Sequence, residues 1–137
     1  MKYISRSIDK TLEEWKASTT HKPLLLRGAR QVGKSSAVRH LGTQFKYFAE
    51  VNFESAKSIA TFFKGDLDVK LISSKISNYI QVPIIPGQTL LFLDEIQACP
   101  EAIMALRFFK EDYPELHVIA AGSLLEFALQ SLPTFGV

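Results

Sequence analysis

At 137 residues, 47% hydrophobic and 22% charged, the chain has the length of one domain and enough apolar side chains to bury a core, which excludes a disordered segment. Apolar runs such as Pro23-Leu24-Leu25-Leu26 fall far short of the ~20 residues of a membrane span, and a single cysteine, Cys99, excludes an internal disulfide. The net charge of +2 is uneven: residues 1–46 carry ten Lys/Arg against three Asp/Glu, whereas residues 47–137 carry six against eleven.

In chain order, Ile8, Leu12 and Trp15 recur at helical spacing and Thr11-x-x-Glu14 has the form of a capping box, so residues 7–18 read as a lead-in helix. Pro23 breaks it. Leu24–Leu26, too short for a helix and bounded by Pro and Gly, reads as a buried strand. Ala37, Val38 and Leu41 share one face of a second helix, with Gly42 as its stop. Phe45, Tyr47, Ala49, Val51 and Phe53 alternate as in a strand. Ala56, Ile59, Ala60 and Phe63 give a helix ending near Gly65, and Leu71, Ile72, Ile76, Tyr79 and Ile80 give another.

After the loop Pro83–Gly87, Leu90–Leu93 reads as a buried strand, and Pro100 opens a helix carrying Ile103, Leu106 and Phe109. Tyr113-Pro114 closes that helix, Val118–Ala121 is a fourth strand, and a last helix opens at Ser123. Strands alternating with helices imply a parallel sheet with right-handed crossovers, an α/β three-layer domain. No repeat, low-complexity tract or linker divides residues 1–137, so residues 1–20 belong to the same domain.

The chemistry concentrates at three points. Gly28-x-x-x-x-Gly33-Lys34-Ser35 follows an expected strand and opens an expected helix, the context that a phosphate-binding P-loop requires. There the backbone of Gly28, Ala29, Arg30, Gln31, Val32, Gly33, Lys34, Ser35 and Ser36 curls so that N–H groups and the helix dipole face a phosphate. Lys34 brings a mobile positive charge to the β- and γ-phosphates, and the Ser35 hydroxyl reaches Mg²⁺. The plainer alternative is a glycine turn with an exposed lysine.

The second point is Leu90-Leu91-Phe92-Leu93-Asp94-Glu95, a buried strand delivering Asp94 to the C-terminal sheet edge where α/β folds bind ligands. Asp94 is the expected metal carboxylate with Ser35. Glu95, pointing the other way along the strand, is the expected general base toward water. Two solvated acids at a strand end are the alternative. The third is Ser123, placed after the fourth strand to touch the γ-phosphate, or to cap its helix through Ser123-x-x-Glu126. His21, His40 and His117 lack metal spacing and read as isolated surface or edge residues.

Together LLLRGARQVGKS, LLFLDEIQACP and VIAAGSLLEFAL resemble the AAA-type P-loop ATPases of bacteria and archaea that commonly precede a C-terminal domain of uncharacterised role. The resemblance implies an additional-strand, catalytic-glutamate core of sheet order 5-1-4-3-2, with ATP and Mg²⁺ as ligands. It matches the roles of Lys34, Ser35, Asp94 and Glu95, and it puts Ser123 at the family's sensor position. It also implies that the chain is an N-terminal fragment, with strand 5, the lid and the C-terminal domain beyond Val137. As arginine fingers, Arg39 and Arg107 are candidates only by being arginines.

Three functions follow as expectations: an ATP-hydrolysing core, a nucleotide-dependent switch with little turnover, or the ATPase module of a nucleic-acid-associated protein. The basic N-terminal third has no interleaved stacking aromatics, so this chain itself gives no sign of nucleic-acid contact. Self-association is open, no membrane contact is expected, and MKYISRSIDK lacks the apolar core of a signal peptide, which suits a reducing cytoplasm.

Overall fold

The computed structural model of the chain describes residues 7–26 and 34–122. Within them the order is α1 (Ser7–Ala17), β1 (Leu24–Leu26), α2 (Lys34–Gly42), β2 (Tyr47–Asn52), α3 (Lys57–Ala60), α4 (Val69–Ile80), β3 (Thr89–Asp94), α5 (Pro100–Asp112) and β4 (His117–Ala121). The strands form one parallel sheet in the order β1-β4-β3-β2, with Leu25 opposite Ala120, Leu93 opposite Ala120, and Asn52 opposite Asp94. β4 therefore lies between β1 and β3, the 1-4-3-2 portion of the expected order. The expected fifth strand and the helix opening at Ser123 lie outside the described residues.

The period of two along β3 divides the core between the two faces of the sheet. Leu90 and Phe92 pack with Leu12 of α1 and with Ala37, Val38 and Leu41 of α2. Leu91 and Leu93 face the other way, into a larger cluster with Ile72 and Ile76 of α4 and with Ile103, Leu106 and Phe109 of α5. Every residue of β3 and β4 is buried, as parallel strands covered on both faces must be. The result is the expected three-layer α/β arrangement.

Local chemistry sets the ends of the helices. The Asp68 carboxylate accepts the Leu71 N–H at 3.2 Å and caps α4, which closes on Gln81 in a left-handed conformation. Pro100 occupies the first turn of α5, where its missing N–H costs nothing.

Several sequence expectations need correction. Thr11 lies in the interior of α1, whose first residue is Ser7, so Thr11-x-x-Glu14 is not a capping box. Leu24–Leu26 are half-buried rather than buried, because β1 pairs on one side only among the described residues. The helix expected over 56–63 is split into α3 and a tighter 3-10 turn, Thr61–Phe63. On α4 the buried face is Val69, Ile72, Ser73 and Ile76, while Leu71 and Tyr79 are exposed.

The histidines are not isolated. The rings of His21 and His117 stack at 3.7 Å between centroids, with Trp15 edge-on to both and Phe45 edge-on to His117. His117 Nε2 lies 3.0 Å from the Lys16 carbonyl, which can only accept, so Nε2 carries the proton and Nδ1 is left bare. This cluster and the bond from the Trp15 indole to the Lys22 carbonyl, 2.7 Å, seat α1 on the sheet.

Candidate functional site

Asp94 and Glu95 lie at the C-terminal edge of the sheet, beside the first turn of α2. Asp94 shares the Leu90–Phe92 face of β3, the face covered by α2, and α2 begins at Lys34. Strand alternation therefore aims the Asp94 carboxylate at the first turn of α2. There the Ser35 hydroxyl donates to Asp94 Oδ2 at 3.4 Å, across 59 residues of sequence. The second oxygen, Oδ1, accepts the Glu95 N–H at 2.9 Å. Asp94 is only 6% exposed. Burial pushes its carboxyl above the usual range, reinforced by the charges of Glu95 and Glu50; the bonds from the Glu95 N–H and from Ser35 pull the other way.

Glu95 departs from the expected geometry. It does not continue the alternation of β3; its backbone is left-handed (φ 51°, ψ 46°) and it leads into a 3-10 turn, Ile96–Ala98. A non-glycine residue held there costs on the order of 1 kcal/mol. The Asp94 carboxylate, by taking the Glu95 N–H, and the Ala98 N–H, by donating to the Glu95 carbonyl at 3.1 Å, hold the turn. The direction of the Glu95 side chain is thus set by a sharp backbone turn rather than by strand pleating.

Sequence reasoning gave no role to two residues that meet Glu95 and its surroundings. Gln97 Nε2 donates to Glu95 Oε2 at 2.9 Å and lies 3.4 Å from Glu54 Oε1. Glu54 follows β2, where the Asn52 side chain accepts the Glu54 and Ser55 N–H groups and turns the chain. The only sequence signal for Gln97 was its place in Asp94-Glu95-Ile96-Gln97; Glu54 had none.

Gly28, Ala29, Arg30, Gln31, Val32, Gly33 and Ser123 lie outside the described residues. Lys34 opens α2, and Ser36, next to Ser35, is exposed. Of the two candidate arginines, Arg39 forms a two-pronged ion pair with Glu50 of β2, at 2.9 and 2.8 Å, and Arg107 pairs with Glu111 one turn along α5. Both guanidinium groups thus have carboxylate partners within the chain.

No group of three or more His, Cys, Asp or Glu with metal-binding geometry occurs among the described residues, and none of their helices is long and apolar enough to cross a membrane. No curated protein sequence matches the chain. Among solved structures, a Walker-type ATPase of Pyrococcus abyssi superposes with a TM-score of 0.52 at 18% identity, over 93% of this chain and 48% of that one. The chain thus spans about half the length of that relative, and the likeness establishes a common fold. The sequence model of the AAA domain family matches residues 20–136, which takes in the Gly28–Ser35 loop, the Asp94-Glu95 strand end and β4. With a sheet of order 1-4-3-2 and Ser35 facing Asp94, the chain belongs to the AAA domain family.

Proposed function

We propose that the chain is the ATP-binding and ATP-hydrolysing core of a larger AAA-type ATPase. The observation that carries this reading is the 3.4 Å approach of Ser35 Oγ to Asp94 Oδ2, which joins the P-loop serine to the strand-end carboxylate. Both are hard oxygen donors of the kind Mg²⁺ prefers. A buried carboxyl raised by desolvation, with one of its oxygens answered only by a long hydroxyl contact, suits a cation as its partner.

On this reading the loop Gly28–Ser36 binds the phosphates through its N–H groups, and Lys34 offsets the charge on the β- and γ-phosphates. Ser35 and Asp94 would hold Mg²⁺, which would supply further positive charge to the phosphate oxygens. Glu95 accepts a proton from the water that attacks the γ-phosphorus in line as the bond to the β–γ bridging oxygen breaks and ADP leaves, and Ser123 contacts the γ-phosphate. The carboxylate of Glu95 is suited to the proton transfer because its neighbour Asp94, not Glu95, faces α2 and the serine.

The test is Mg²⁺-dependent ATP binding and hydrolysis by the full-length protein, with Lys34→Ala and Glu95→Gln beside it. Lys34→Ala is expected to weaken binding at least tenfold, the effect of deleting about 1.4 kcal/mol of phosphate contact. Glu95→Gln is expected to bind ATP as the wild type does while turning over about 10²–10⁴ times more slowly. Wild-type binding no stronger than that of Lys34→Ala rejects the proposal.

A further inference from the structure

The side chain of Gln97 touches the ends of three adjacent strands. Its Nε2 reaches Glu95 just past β3 and Glu54 just past β2, and its Oε1 lies against Gly122 just past β4. The orientation of the amide follows from chemistry: only the NH₂ can face two carboxylates, so the carbonyl oxygen must face Gly122. That oxygen is buried without a hydrogen-bond partner. A methyl group at Gly122 would come within 2.0 Å of it, so glycine is what lets the amide sit there.

Resting on the hydrolytic reading above, we infer that Gln97 is a positioning residue for Glu95: its amide holds the Glu95 carboxylate in place and keeps it apart from Glu54. The amide has two N–H groups, and its Nε2 lies within hydrogen-bond distance of both acids, so it bridges two groups of like charge. Because Gln97 bears on β2 and β4 as well, the aim of Glu95 is tied to the spacing of the strands rather than to its own loop alone. A buried oxygen without a partner and a left-handed glutamate are both tolerated at this one point.

The experiment compares single-turnover ATP hydrolysis with ATP affinity, in Mg²⁺, for the full-length wild type, Gln97→Ala, Gln97→Met, Gly122→Ala and the double variant Gly122→Ala/Gln97→Ala. Gln97→Met keeps the length and packing of the side chain while removing the donor. Gly122→Ala leaves Gln97 in place but pushes the flexible amide off its seat. Each single variant is expected to lose about tenfold or more in the hydrolysis rate constant, as a general base moved by about 1 Å would. ATP affinity should stay within about twofold, a split that a merely structural residue would not produce.

In the double variant the alanine at 97 leaves nothing to displace, so the loss should equal that of Gln97→Ala alone. Wild-type rates in Gln97→Ala and Gln97→Met overturn the inference, as do losses from the two sites that multiply. If the wild type itself hydrolyses no faster than Lys34→Ala, the hydrolytic reading fails and Gln97 loses its role with it. Normal wild-type hydrolysis with insensitive Gln97 variants removes this inference alone.

Discussion

Replacing Asp94 by Asn should make the metal-free protein more stable while destroying its response to Mg²⁺ and ATP. The carboxylate is 6% exposed, with one good hydrogen bond at 2.9 Å and one long contact at 3.4 Å. Leaving a buried charged group so under-satisfied costs about 1–3 kcal/mol. Asn keeps the oxygen that accepts the Glu95 N–H and offers Ser35 an NH₂ donor, so most of that cost should return as stability. For a chain of this size about 1 kcal/mol moves the melting temperature by about 3–4 °C.

The sign of the pH dependence follows from burial, the main cause of the raised Asp94 pKa. A carboxyl whose pKa is higher folded than unfolded holds its proton more tightly in the folded chain. The stability it contributes is complete below the unfolded value of about 4 and is lost as the pH rises through the folded value. Thermal melts of both proteins from about pH 4 to pH 8 in metal-free buffer should therefore converge at the acid end and separate toward neutrality, Asn above Asp. With Mg²⁺ and ATP at 100 times the dissociation constant the wild type should gain about 2.7 kcal/mol and overtake the variant, which should gain little. A variant that melts below the wild type at pH 7 without metal, or a gap independent of pH, would refute the argument.

Phe92 is fully buried between β3 and the α1–α2 layer, so Phe92→Ala should cost about 3–5 kcal/mol in urea unfolding; a loss under about 1 kcal/mol would contradict the packing described. Burial lowers the pKa of His21, and burial together with the adjacent His21 lowers that of His117. Their stability contribution is thus present above the unfolded value of about 6.5 and is lost as the pH falls toward the folded values. The variant His117→Gln, compared with the wild type by chemical denaturation from about pH 7.5 to pH 5, should show a shallower acid decline, and equal slopes would exclude the pair as its source. Arg39 is half-exposed, so losing its ion pair with Glu50 should cost about 1 kcal/mol or less, more at low salt than at high. A drop of 10³-fold in hydrolysis by Arg39→Ala, the scale of an arginine finger, would show instead that it serves the nucleotide.

By itself the sequence determined the alternation of strands and helices, because apolar period and punctuation by Pro and Gly are local properties. It located the strand ends too: Leu90–Leu93 can only be a covered strand, and the carboxylate that follows must emerge at its edge. The P-loop pattern and the Asp94-Glu95 pair were legible for the same reason, since each needs particular residues at particular spacing.

What tertiary structure decided lies between segments distant in sequence. That Asp94 faces Ser35 depends on β4 entering between β1 and β3 and on α2 covering the Phe92 face. Glu95 followed neither pleat nor propensity, because a turn held by Asp94 and Ala98 overrode the alternation expected of a strand. Gln97 and Glu54, 43 residues apart, meet only because β2 and β3 are neighbours in register. His21 and His117 stack only because β1 and β4 are paired. Local pattern encodes which residues can form each element; contacts between elements arise from how the sheet is ordered and covered, and no window of sequence contains that order.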